Sequence, residues 1–203
     1  MRPMIACMVA LLVVLGLNGC GSGRPIRYYT IQLPPPAEPS TGAYPVTLLI
    51  GRIHAPEILQ DGPIAYRTGP NEIGIYNYHS WIEPPVRMVK VALIRRLRAS
   101  GRYQSVAELG SVATGEFVLS GRLDDLEEVD AGNVSALVTM EFELVDRKAG
   151  GVVWTHFYSQ TEPVQGKEVP EVVSALDRNL VRGLTEVVSG LDAYFANRFP
   201  PKH

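Results

Sequence analysis

The first twenty residues decide how the rest of the chain must hold itself together. Met1-Arg2 gives a short positive start, Met4 to Leu17 is almost wholly apolar, and Leu17-Asn18-Gly19-Cys20 closes the segment. A charged start, an apolar stretch of about 7–15 residues and a small residue before the cut mark a secretory signal peptide. A membrane-spanning helix needs about 20 apolar residues. This run is shorter and is followed by Gly, Ser and Pro. Cleavage between Gly19 and Cys20 removes Cys7 with the leader, so the exported chain keeps one cysteine and forms no intramolecular disulfide. Its fold must rest on an apolar core.

The cysteine at the cut adds a second constraint. The segment resembles a bacterial lipoprotein signal, in which the thiol is diacylated, the leader is cleaved before it, and the new amino terminus is acylated, palmitate being one such chain. An ordinary signal peptide with an incidental cysteine is the rival reading, and Asn18 departs from the small or aliphatic residue usual there. Each buried methylene contributes roughly 0.8 kcal/mol, so two or three acyl chains hold a protein firmly where one holds it reversibly. Cys20 is therefore the expected lipidation site. Residues 1–19 read as the leader, 20–26 as the lipidated cysteine and its tether, and 27–203 as one domain.

Without Arg2 the mature chain sets 18 Lys and Arg against 21 Asp and Glu, a net charge near −3. That balance argues against nucleic acid as a partner. It also supplies no overall polybasic drive toward anionic lipid.

Along the domain, Arg27 to Leu33 has strand-like composition, and Pro34-Pro35-Pro36 makes a stiff connector. Val46 to Ile53 reads as an aliphatic, central strand. Ile64 to Arg67 and Glu72 to Tyr78 read as a strand pair joined across Gly69-Pro70-Asn71. Pro84-Pro85 opens a helix whose Val86, Val89, Leu93 and Leu97 share one face, ending at Ser100-Gly101. Phe117 to Leu123 alternates. Val134 to Leu144 alternates further, with Ser135, Thr139, Glu141 and Glu143 toward water. Lys148 to Gly151 turns the chain into a hairpin strand, Val152 to Tyr158. A long helix near Pro170 carries Val173, Leu176, Leu180, Leu184, Val187, Val188, Leu191 and Phe195. Strands, helix, strands, helix predict an α+β two-layer sandwich, a mainly antiparallel sheet with two principal helices on one face.

Catalytic and metal patterns are missing from the sequence. His54, His79, His156 and His203 show no metal-ligand spacing, and there is no nucleophile elbow, P-loop or dinucleotide fingerprint. No cofactor is expected, and the chain does not read as an enzyme. Asp124, Asp125, Glu127, Glu128 and Asp130 read as a solvated strand end and turn, since calcium would need oxygens converging from a loop. Tyr76, Tyr78 and Trp81 are the candidate partner-contact residues: aromatics with polar tips are common in interfaces, and also common between a sheet and its first helix. Both readings stay open at this point.

Several segments together resemble the ABC-type transport auxiliary lipoproteins. These are Tyr28-Tyr29 soon after the cysteine, Gly51-Arg52-Ile53 running toward Pro56, Tyr78 to Pro85 leading into the helix, and Leu97 to Tyr103 closing it. The resemblance covers most of the mature chain, and its specificity lies in order and spacing. It implies an accessory or docking component of a transporter built from an ATPase, a permease and an MCE (mammalian cell entry) protein, moving lipids or other apolar molecules across the envelope. It further implies a periplasmic domain tethered to the outer membrane, which the absence of an aspartate in Gly21-Ser22 favours. Homo-oligomers would suit ring-shaped MCE assemblies, though no heptad or exposed apolar stripe in the sequence demonstrates one. Rival functions are a lipid-binding carrier and a lipoprotein subunit of another envelope assembly machine.

Overall fold

The computed structural model describes residues 24–32 and 43–200. The leader, Cys20 and the Pro34-Pro35-Pro36 connector lie outside the described residues. Within them the order is β1 (Arg27–Tyr29), β2 (Tyr44–His54), β3 (Pro63–Gly69), β4 (Glu72–Trp81), α1 (Pro85–Ala99), β5 (Tyr103–Glu108), β6 (Phe117–Asp130), β7 (Val134–Asp146), β8 (Gly151–Pro163) and α2 (Val169–Arg198). A 3-10 turn at Glu57–Leu59 joins β2 to β3. The α+β architecture is the expected one.

β6 organises the sheet. Its first half pairs in parallel with β2 and its second half with β3, while its other edge runs antiparallel to β7 along the whole strand. Beyond β2 lies β5, and beyond β3 lie β4 and then the short edge strand β1. The β3–β4, β6–β7 and β7–β8 ladders are antiparallel, the latter two being the longest, and the remaining pairings are parallel. A register shift between Leu123 and Asp125 lets β6 serve two different neighbours on one side.

The alternation in β7 works as expected. Ala136, Val138, Met140, Phe142 and Leu144 are buried, against Leu176, Leu180, Leu184, Val187 and Leu191 of α2 in one core cluster that also takes Val89, Leu93 and Leu97 of α1. α2 begins with a capping box between Glu168 and Glu171, satisfying donors that a helix start leaves free. It then lies close on the sheet because Gly183 has no Cβ. An added carbon there would stand 2.8 Å from the Tyr158 ring, and closer still to the Met140 methyl.

Asn179, fully buried in α2, fastens that contact: its amide donates to the Ala136 carbonyl at 3.0 Å and the Gln160 carbonyl at 2.7 Å, and Tyr158 Oη donates to its side-chain oxygen. Phe195 closes the far end, with Tyr44, Tyr103 and Phe117 ring centroids at 5.9, 5.6 and 5.1 Å.

Two features depart from the sequence reading. β5 went unread because only Tyr103 and Val106 are buried, three residues apart, which leaves no alternation to see. The acidic run after Leu123 is a continuation of β6, and it is not a solvated turn: Glu127 is 2% exposed and Glu128 6%. Strand pairing on both sides carries the carboxylates inward, and neighbours that sequence distance conceals compensate them.

Candidate functional site

The β3–β4 hairpin carries the three aromatics, and the fold separates them. Ala65 pairs with Ile75 and Pro63 with Ser80, so Ile64 alone stands opposite Tyr76 to His79. Such a surplus bends a strand and re-aims its side chains. Tyr76 turns to β6 and donates to Glu128 Oε2 at 2.6 Å. Tyr78 stays exposed. Trp81, 2% exposed, belongs to the core, and its indole N–H has no acceptor among the described residues. The triad is thus no continuous surface; Trp81 packs between sheet and helix, the other use that such aromatics have.

Around Tyr76 the ring of Tyr66 lies 5.0 Å away and that of His79 5.8 Å. His79 stacks on Tyr29 of β1 at 5.7 Å, and Tyr29 Oη hydrogen-bonds His79 Nδ1 at 2.8 Å. This chain of rings ties the short edge strand to β6. Burial, foremost, and the adjacent Glu128 carboxylate push the Tyr76 phenol well above its ordinary range, so it remains a donor at every physiological pH. On β3, Arg67 donates to Glu127 at 2.6 Å and lies 3.9 Å from Asp125. Burial raises the Glu127 carboxyl, and the Arg67 guanidinium opposes that rise.

These partnerships use up the polar groups of the cluster. Among the side chains that the hairpin leaves to solvent are three large apolar ones, Ile73, Ile75 and Tyr78, each 44–45% exposed, beside the polar Thr68, Asn71, Glu72 and Asn77. The arrangement has the chemistry of a contact surface, in which rigid, paired polar groups underlie exposed aliphatic and aromatic side chains. Sequence reading reached Tyr76 and Tyr78. It missed Tyr29, Tyr66, Arg67, His79, Glu127 and Glu128, which come together only through pairing across β1, β4, β3 and β6. The one local signal was the strand period, which carried through the acidic run would have put Glu128 on the side of Leu126.

Among the described residues no group of three or more His, Cys, Asp or Glu converges on a metal-sized site. No described helix is long and apolar enough to cross a membrane.

Fold and surface define an α+β sandwich with one helix-covered half and one apolar-edged half. The family model for the ABC-type transport auxiliary lipoprotein component matches residues 29–188, and the chain belongs to that family. It is thus a lipoprotein-family protein, anchored to an envelope membrane and associated with an ABC transport system. No curated protein matches the chain. Among solved structures, a Xanthomonas campestris protein is similar at TM-score 0.73 and 20% identity, covering 85% of this chain and 99% of its own. A second, uncharacterized protein is similar at TM-score 0.66 and 14% identity, covering 83% and 99%. A hypothetical protein of Chlamydia trachomatis is similar at 0.50 and 9%, covering 75% and 99%. At these identities the likeness is one of fold.

Proposed function

We propose that this chain is a periplasmic docking component of an MCE-type ABC transporter, acylated at Cys20, held at the outer membrane, and without catalytic chemistry of its own. The family match over residues 29–188 carries the transporter association. The signal-like segment ending at Cys20 supports the anchor. The partner-contact surface is the β3–β4 hairpin, with Tyr78 at its centre, Ile73 and Ile75 beside it, and Tyr76 beneath as support. Trp81 acts on this surface only by holding the hairpin to the core.

Docking is favoured over carriage of lipid by the walls of four grooves on the described surface. These measure about 250–420 Å³ and each includes Arg, Lys or Glu. A carrier of acyl chains would need an apolar pocket.

Crosslinking in intact cells tests the proposal, with separation of inner and outer membranes and identification of the bound proteins. An MCE protein recovered with this chain from the outer membrane is the expected result. Recovery of a different envelope machine would move the function to that system.

A further inference from the structure

We propose that the β1 edge of the sandwich, together with the adjoining groove on α1, rests on the anionic bilayer surface to which the chain is tethered. The inference rests on acylation of Cys20, and it adds an orientation that the docking role does not require.

The tether fixes what this edge can meet. Six residues lie between Cys20 and Arg27, and the seven steps that join them, at 3.3–3.6 Å each, reach at most about 25 Å. β1 therefore never leaves the neighbourhood of the headgroups. Apolar side chains crowd this end: Ile26 is 49% exposed, Tyr28 62%, Ile82 64% and Val91 39%. They flank one strand: Tyr28 pairs with Ser80, and the Ile82 amide donates to the Tyr29 carbonyl at 2.8 Å, which ties the start of α1 to the edge. A groove of about 270 Å³ follows, between Thr30-Ile31 and α1, with Ile82 and Val91 in its wall.

Charge complements that surface. Arg87, Val91 and Arg95 stand four residues apart, one stripe along a helix that holds five basic residues and no acid. Exposed Arg24 and Arg27 lie on the tether side. The single acid in the groove wall, Glu83, sits 3.5 Å from Arg87, and no ion pair is recorded for Arg95 among the described residues. Arginine stems lie along apolar surface while their heads meet phosphate, and tyrosine suits the headgroup layer. A mature chain with a net charge near −3 (18 Lys and Arg against 21 Asp and Glu) thus presents a basic, apolar edge where its anchor holds it. Tethering makes even a weak contact effective, because the local concentration of bilayer is high.

The test uses the full-length mature lipoprotein in vesicles of phosphatidylcholine, with or without phosphatidylglycerol. An environment-sensitive thiol dye is placed at Val91→Cys, or at Val112→Cys as a remote control. Intact mass counts the acyl chains on Cys20, the one native cysteine of the mature chain.

The Val91→Cys label should shift to the blue in phosphatidylglycerol vesicles. High salt, or Arg87→Glu with Arg95→Glu, should abolish the shift, and the Val112→Cys label should stay unchanged. An acylated, vesicle-bound protein with no shift at Val91→Cys overturns the proposal, as does a shift at Val112→Cys alone. A chain without acyl groups would sink the anchor and this orientation together. Failure of MCE recovery would leave both untouched.

Discussion

The two halves of the sheet treat the same residue types in opposite ways. Under α2, Tyr158 and Asn179 vanish into the helix–sheet contact, and Arg182 and Arg178 cap Glu162 at its border. At the β1–β4–β3 side, Tyr29 pairs with His79, Tyr66 with Tyr76 and Arg67 with Glu127, and aliphatic side chains face solvent. A helix that covers a sheet consumes its side chains in packing. Where no helix lies, the polar groups satisfy each other and the apolar remainder is available for recognition.

Substitutions that should move one half and spare the other test that contrast. Trp81→Ala deletes a core indole and should cost about 3–5 kcal/mol in denaturant unfolding. A loss within about 0.5 kcal/mol would return Trp81 to the surface set. Asn179→Ala removes the buried donor to the Ala136 and Gln160 carbonyls, while the Tyr158 hydroxyl keeps the residue-179 carbonyl and Arg182 Nε. About 2–3 kcal/mol of destabilisation is expected from its melting curve. Tyr76→Phe leaves the buried Glu128 carboxylate without its phenol, and about 1–3 kcal/mol should be lost.

Glu162 gives the pH-dependent case. The Arg182 and then the Arg178 guanidinium hold its carboxyl below the ordinary carboxylate range. The folded value lies under the unfolded one, so the stability it contributes is present above about pH 4.3 and is lost as pH falls through the folded value. Glu162→Gln should cost up to about 1 kcal/mol at pH 7, and the gap to wild type should close in thermal melts taken below that range. Tyr78→Ala should have the smallest effect on stability, within about 0.5 kcal/mol, while abolishing crosslinks to the transporter partner. If crosslinking survives, Tyr78 is no contact.

Much of the fold was legible from the chain because its signals are local. The β7 alternation, the Lys148–Gly151 turn, the Pro85 helix start and the apolar stripe of α2 each follow from periods and caps within a few residues. β5 carries no such period. The acidic run of β6 shows the opposite limit: five acids in seven residues imply solvent until Arg67 and Tyr76, some sixty and fifty residues away, are placed against Glu127 and Glu128.

By itself the sequence determined the leader-like segment ahead of Cys20 and the α+β class. Those properties depend on composition, period and residue count. Tertiary structure alone decided that Trp81 is core and Tyr78 surface, that two acids of the run are buried, and that the basic face of α1 stands beside β1. Burial and charge pairing are properties of neighbours, and the sheet draws those neighbours from segments far apart in the chain.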